Sequence, residues 1–255
     1  MSKLVVHSHA AESDGCTVRV TAASAGWRYV GFEVLRIGSV SRREDAHETC
    51  LVVLSGSATL AAGDGEWPSV GRASVFDGAP VALYVPPGVA WSAAGEAEIA
   101  VCTAPAAAGS GADLRLLDTP RHETRGTGAE AREIANILME DEPAASLLVT
   151  EVVTPAGHWS SFPPHKHDRD DPPHETYLEE TYYHRLRPAD GFAFQRVYTD
   201  DGSLDEAIAV RDGDVVLVPR GYHPVAAGAR HDLYYLNVMA GPVREWRITP
   251  DPAYG

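Results

Sequence analysis

The sequence predicts an all-β protein made of two β-barrels in tandem, and three observations carry that reading. Apolar runs of roughly four to eight residues recur along the chain, separated by glycine and proline turns. The 255 residues include 23 Gly and 18 Pro, with 44% hydrophobic and 22% charged residues, a composition that suits a globular chain rich in turns. The third observation is a repeated string. In the first half, Glu48-Thr49-Cys50-Leu51-Val52-Val53-Leu54-Ser55-Gly56 is followed, beyond Gly71, by Val81-Ala82-Leu83-Tyr84-Val85-Pro86-Pro87-Gly88-Val89-Ala90-Trp91. In the second half, Gly213-Asp214-Val215-Val216-Leu217-Val218-Pro219-Arg220-Gly221-Tyr222-His223 closes in the same way.

The elements follow in chain order. The opening Met1-Ser2-Lys3-Leu4-Val5-Val6-His7 lacks the apolar core and cleavage site of a signal peptide. No apolar run reaches the roughly 18 residues that span a bilayer, so cytoplasmic residence is expected. Residues 48–56 read as a strand ending in a turn. Upstream, Arg42-Arg43-Glu44-Asp45-Ala46-His47-Glu48 holds no His-x-His, and Trp91 stands where a ligand histidine would be. His47 and Glu48 alone cannot supply the three or four protein ligands of a retained metal. The first barrel, residues 1–110, is therefore expected to be a metal-free structural copy that supplies wall and interface. The small-residue stretch 104–112 has the composition of a linker, and residues 111–255 form the second domain.

Within that domain, Ala129-Glu130-Ala131-Arg132-Glu133-Ile134-Ala135-Asn136-Ile137-Leu138 has helix-forming residues. The Thr124-Arg125-Gly126-Thr127-Gly128 before it leaves loop and strand equally open. Leu147 to Val153 reads as a buried strand leading into Pro155-Ala156-Gly157. Cys16, Cys50 and Cys102 are odd in number and scattered, with no Cys-x-x-Cys, so core positions are expected rather than disulfides.

The chemistry concentrates further on. His165-Lys166-His167 places two imidazoles on one side of the chain only if the backbone is extended, because side chains alternate along a strand. Pro163-Pro164 before it and Pro172-Pro173 after it exclude a helix there. A second strand begins near Glu179-Glu180 and continues through Thr181-Tyr182-Tyr183-His184. Val215 to Val218 is a short buried strand, and Pro219 with Gly221 turns the chain so that His223 is delivered at its end. Imidazole and carboxylate together suit zinc, manganese, iron, nickel or cobalt.

These segments resemble the two halves of the cupin signature: a His-x-His and a Glu from one motif, a His from a Gly-x5-Pro-x-Gly motif. The match falls on His165, His167, Gly213, Pro219, Gly221 and His223, with Glu180 as the carboxylate. The longer His-to-Glu loop leaves Glu179 as a rival ligand, and the shorter Gly221-to-His223 spacing leaves His231 as an alternative to His223.

A narrower resemblance rests on Trp159-Ser160-Ser161-Phe162-Pro163-Pro164-His165-Lys166-His167-Asp168, on Glu179 to Arg185, and on Val218-Pro219-Arg220-Gly221-Tyr222-His223-Pro224. Over essentially its whole length the chain looks like the 5-deoxy-glucuronate isomerase family of inositol catabolism, related to the 4-deoxy-threo-5-hexosulose-uronate ketol-isomerases. That resemblance implies two tandem cupin barrels of the jelly-roll type. It implies conversion of 5-deoxy-D-glucuronate to 5-dehydro-2-deoxy-D-gluconate with a divalent metal, zinc foremost, in the C-terminal barrel.

An aldose-to-ketose change needs an acid or base, and Glu179, Tyr182 and His184 are the candidates. A small anionic sugar acid needs a cation; Arg220 comes first, then Arg185, with Lys166 and Tyr222 beside the ligand histidines. The net charge of −15 disfavours nucleic acid and anionic membranes as partners. Edge strands that need covering leave a homo-oligomer open. The same ligand set with iron would serve a dioxygenase, and a sugar-acid-binding cupin without catalysis is the third reading.

Overall fold

The computed structural model describes residues 2–110 and 112–254; Met1, in the N-terminal segment read above, and Gly111, at the expected domain boundary, lie outside them. Among the described residues the chain is almost wholly β-structure, with one short helix, Ala22–Ala25, and a single 3₁₀ turn, Gly128–Glu130. No helix is long and apolar enough to cross a membrane.

The chain divides into two compact units, one of residues 8–121 and 136–149, the other of residues 1–7, 122–135 and 150–255. This partition differs from a cut between residues 110 and 111. Glu48 supplies the physical reason for part of the difference. Its carboxylate is fully buried and accepts the backbone N–H of Ala145 (2.8 Å), Ser146 (2.5 Å) and Leu147 (2.6 Å) and the Tyr84 hydroxyl (2.6 Å). Three of these four hydrogen bonds hold the 145–147 segment to the His47–Ala62 strand, and the fourth ties in Tyr84.

In the first unit a seven-stranded sheet runs Cys16–Val20, Gly31–Arg43, Ala90–Pro105, His47–Ala62, Ala82–Val85 and Arg115–Leu117, with Gly65–Arg72 also paired to His47–Ala62. The long strands carry register shifts, at Ile37/Ser39 and Val53/Ser55 among others. Such bulges sharpen twist and let one strand bend around a barrel. Leu35, Leu51, Leu60, Leu83, Trp91 and Ile99 fill the interior. All three cysteines are buried and free, as expected of core residues.

In the second unit the sheet order is Val5–Val6, Val215–Val218, Glu179–Arg187, Asp232–Ala240, Leu148–Thr154, Arg132–Leu138, Arg121–Arg125. A four-stranded sheet runs Trp159–Ser160, Val225–Ala226, Ala193–Tyr198, Asp205–Val210, and His165–Lys166 pairs with Thr249–Pro250. The register sets Glu180 opposite Val218 and Tyr182 opposite Val216. Alternate residues Tyr182 and Leu186 therefore enter the same interior as Val216, Val218, Leu233 and Tyr235. The segment 129–138, open between helix, loop and strand in the sequence, is a 3₁₀ turn followed by a strand.

Candidate metal centre and active site

His165, His167, Glu180 and His223 come together inside the second unit. Glu180 lies on the nine-residue Glu179–Arg187 strand, and His223 follows the turn that ends Val215–Val218. Gly221 makes that turn possible. Its φ is +85°, and a Cβ there would stand 2.3 Å from the Tyr198 carbonyl oxygen. Asp168 pins the turn to the His-x-His segment by accepting the Gly221 N–H at 2.8 Å.

Glu180 Oε2 lies 3.1 Å from His167 Nε2 and 3.2 Å from His223 Nε2. The donor atoms of His167, Glu180 and His223 all fall within 4.8 Å of one another. The His165 ring stands beside this trio, its centroid 4.9 Å from that of His223 and 6.5 Å from that of His167. His167, Glu180 and His223 are buried, while His165 keeps one side toward solvent.

The hydrogen bonds of the imidazoles settle their tautomers. Each Nδ1–H donates to a backbone carbonyl: His165 to Pro163 (3.3 Å), His167 to Leu178 (3.1 Å), His223 to Gly221 (2.9 Å). A carbonyl can only accept, so in each neutral ring the lone pair is left on Nε2. His223 Nε2 is buried and has no hydrogen-bond partner among the described residues. His167 Nε2 faces the Glu180 carboxylate, which outweighs the effect of burial and raises the His167 pKa; with that proton given up, three imidazoles oriented by their outer hydrogen bonds and one carboxylate could hold a divalent cation. Burial pulls the His165 pKa down to about 3, helped by the neighbouring His167, and pulls that of His223 well down too, with the other two imidazoles adding to the effect. Burial also raises the Glu180 carboxyl, an effect that the His167 imidazole partly offsets. A cation would relieve that cost.

Deeper in the barrel, Tyr182 follows Glu180 on the same face of the strand. Its ring centroid is 5.7 Å from that of His223, and its hydroxyl is 2.8 Å from Ser161 Oγ. His184 stacks behind it at 5.9 Å and 19°. His184 Nε2 is 2.9 Å from Gln195 Oε1, and its Nδ1 is buried without a partner. Burial lowers the His184 pKa to about 4, so the ring is neutral near pH 7. Tyr235, hydrogen-bonded to Ser160, packs 4.9 Å from Tyr182. Ser160 and Ser161 stand in the sequence only as part of the motif before His165, and Gln195 and Tyr235 not at all, because only the closed barrel brings the four to the glutamate strand.

The other sequence candidates lie elsewhere. Glu179 is buried, but strand alternation turns it to the opposite face from Glu180. Arg185 pairs with Asp212 at 2.9 Å. Arg220 is exposed and donates to Ser203 Oγ at 3.2 Å. Lys166 is buried against Asp200 and stands 5.2 Å from the Tyr222 ring centroid, while the Tyr222 hydroxyl donates to Asp200 at 2.8 Å. These four join the network around the His223 turn or the barrel exterior rather than the His/Glu cluster. His231 is 3.8 Å from Asp190 and away from the cluster, which leaves His223 as the converging imidazole. A further grouping, Glu12, Asp14 and Cys16, is accounted for by Arg19, which pairs with Asp14 at 2.5 Å and Glu12 at 3.5 Å.

A β-barrel that gathers a His-x-His strand, a glutamate strand and a histidine turn defines the class as cupin. The match of the KduI/IolB family extends over residues 4–255, and the chain belongs to that family. It is 50% identical to a 5-deoxy-glucuronate isomerase of Geobacillus kaustophilus, covering 99% of this chain and 94% of that one. It is 42% identical to the 5-deoxy-glucuronate isomerase of Bacillus subtilis, covering 92% and 90%. The crystal structure of an IolB-like protein from Salmonella typhimurium superposes with a TM-score of 0.95 at 42% identity, covering 100% of this chain and 98% of that one. A variant of Bacillus subtilis oxalate decarboxylase shares the fold alone, with a TM-score of 0.65 at 14% identity over 98% of this chain and 80% of that one.

Proposed function

We propose that this chain is an aldose-ketose isomerase that converts 5-deoxy-D-glucuronate to 5-dehydro-2-deoxy-D-gluconate in inositol catabolism. In this reading a divalent cation, zinc foremost, is held by His165, His167, Glu180 and His223. The observation that carries the site is the commitment of all three Nδ1–H groups to backbone carbonyls around one buried carboxylate. The substrate follows from the relatives of the same name, alike over nearly the full chain. The unit of residues 8–121 and 136–149 serves as a metal-free partner barrel, its Glu48 fully engaged in structural hydrogen bonds.

The reaction moves one proton between adjacent carbons and one hydrogen between their oxygens, with no net oxidation. When bound, the cation draws off the negative charge that develops on those oxygens. Tyr182 is the side chain best placed to serve the transfer between the two oxygens, its Oη giving a proton to one and regaining a proton from the other. Burial holds its pKa well above the ordinary value, with the Glu180 charge adding to the effect, so the hydroxyl arrives protonated and Ser161 orients it. Neutral His184 backs the ring and keeps its Nδ1 open as an acceptor.

Tyr182→Phe is expected to lower kcat by about 10² to 10⁴ while metal content stays at the wild-type level. An unchanged kcat would remove the hydroxyl from the reaction. The substrate reading is tested by following 5-deoxy-D-glucuronate with an oxygen electrode in place. Formation of the keto acid without oxygen uptake supports an isomerase. Oxygen consumption by the iron-loaded protein would indicate a dioxygenase instead, and binding without turnover a non-catalytic cupin.

A further inference from the structure

None of the cations anticipated from the sequence joins the His/Glu cluster, yet the barrel holds a buried guanidinium. Arg132 opens the Arg132–Leu138 strand and is only 6% exposed. Ile134, two residues on and so on the same face, belongs to the interior cluster that contains Tyr182 and Tyr235. The neighbouring Ala131 carbonyl accepts from His158 Nδ1 at 2.8 Å, which fixes the start of the strand beside Trp159 and Ser160. Ser160 in turn reaches the Tyr235 hydroxyl.

Arginine has five N–H donors and requires a counter-charge when it is taken out of water. Among the described residues Arg132 makes one hydrogen bond, from Nη1 to the Glu130 carbonyl at 3.0 Å, and no carboxylate lies within ion-pair distance. None of its nitrogens is both sealed and unpartnered, so its remaining donors keep access to solvent. Its charge is felt at His165, Tyr182 and Tyr235. Arg125 adds a second positive charge on the same side, 5.5 Å from the Trp246 ring centroid, and Trp246 stands edge-on to His165 at 5.9 Å. Arg125 is already paired with Glu123 at 2.8 Å, which leaves Arg132 as the uncompensated one.

We infer that Arg132 is the carboxylate-recognition residue of the site, taking the remote carboxylate of a sugar acid whose reacting end lies at the His167–Glu180–His223 cluster. This rests on the isomerase reading and names the group that makes the enzyme selective for an acid. A planar guanidinium can hold a carboxylate by two parallel hydrogen bonds, which an ammonium cannot reproduce. The carboxylate also supplies the counter-charge that the protein withholds.

The test compares wild type, Arg132→Gln and Arg132→Lys on 5-deoxy-D-glucuronate and on its analogue reduced to a primary alcohol at the carboxylate carbon. Arg132→Gln is expected to lower the acid-over-alcohol ratio of kcat/KM by roughly 10²-fold, chiefly through the KM of the acid. Arg132→Lys recovers part of the loss, and metal content per chain is unchanged in both variants. Equal losses on the two substrates would assign Arg132 a structural role, and an unchanged kcat/KM on the acid would remove it from the site; either result overturns the inference while leaving the isomerase reading intact. A wild-type protein that binds its metal but leaves 5-deoxy-D-glucuronate unconverted would overturn both.

Discussion

Glu180→Gln is expected to lower kcat/KM by roughly 10³-fold and to leave the purified protein largely without metal. The carboxylate is the sole anionic member of the cluster, 3.1 Å from His167 Nε2 and 3.2 Å from His223 Nε2. An amide of the same shape keeps the packing but loses the charge that draws a dication into a buried site. A cation that stabilises developing oxyanions contributes several kcal/mol; ~4 kcal/mol corresponds to a loss of roughly 10³ in kcat/KM. Glu179→Gln provides the control, because the same chemical change one residue earlier falls on the other face of the strand. Metal content by mass spectrometry should fall far more for Glu180→Gln than for Glu179→Gln. The reverse ranking would move the ligand to Glu179.

Glu48→Ala is expected to be the most destabilising single change in the unit of residues 8–121 and 136–149. It removes a buried acceptor and strands the N–H groups of Ala145, Ser146 and Leu147 together with the Tyr84 hydroxyl. Deleting one side of such a buried charged network costs about 3–5 kcal/mol, which lowers the unfolding midpoint by roughly 10–20 °C for a unit of this size. Glu48→Gln retains an acceptor and should lose less. Thermal unfolding followed by circular dichroism measures both, and midpoints within a degree of wild type would show that the network contributes little. His47 and Glu48 raised the question of a first-barrel metal in the sequence; the structure gives Glu48 a packing role instead.

What was legible in the sequence was whatever local chemistry marks. Pro163-Pro164 and the alternation of His165 and His167 announced an extended ligand strand, and Val215–Val218 appeared as the strand it is. Longer strands were partly hidden. His47–Ala62 continues through Ser55-Gly56, where the sequence suggested an end. There Gly56 has a φ of +82° and lies so close to the neighbouring strand that a Cβ would meet the Glu96 carbonyl oxygen at 2.2 Å; that glycine marks a close approach within a sheet, not a turn. Residues 132–138 carry helix-forming side chains but pair as a strand, because sheet neighbours outweigh weak local propensity.

The cations expected from the sequence to meet the substrate stand outside the His/Glu cluster for a related reason. Arg185 and Lys166 look free in an acidic chain, but Asp212 and Asp200, each some distance along the sequence, neutralise them in the fold. Arg132 sits in an unremarkable run and becomes conspicuous only when it is seen buried without a carboxylate. Proximity across a barrel is a tertiary fact, and no spacing rule exposes it.

Isomerisation, as proposed above, requires a cation bound at His165, His167, Glu180 and His223. The direct measurement is metal content per chain together with the rate on 5-deoxy-D-glucuronate, before chelation, after it, and during stepwise return of zinc or manganese. The account predicts one tightly held ion per chain, loss of activity in step with its removal, and recovery in proportion to its return. Full activity in metal-free protein, or an ion retained undiminished in Glu180→Gln and His167→Ala, would contradict it.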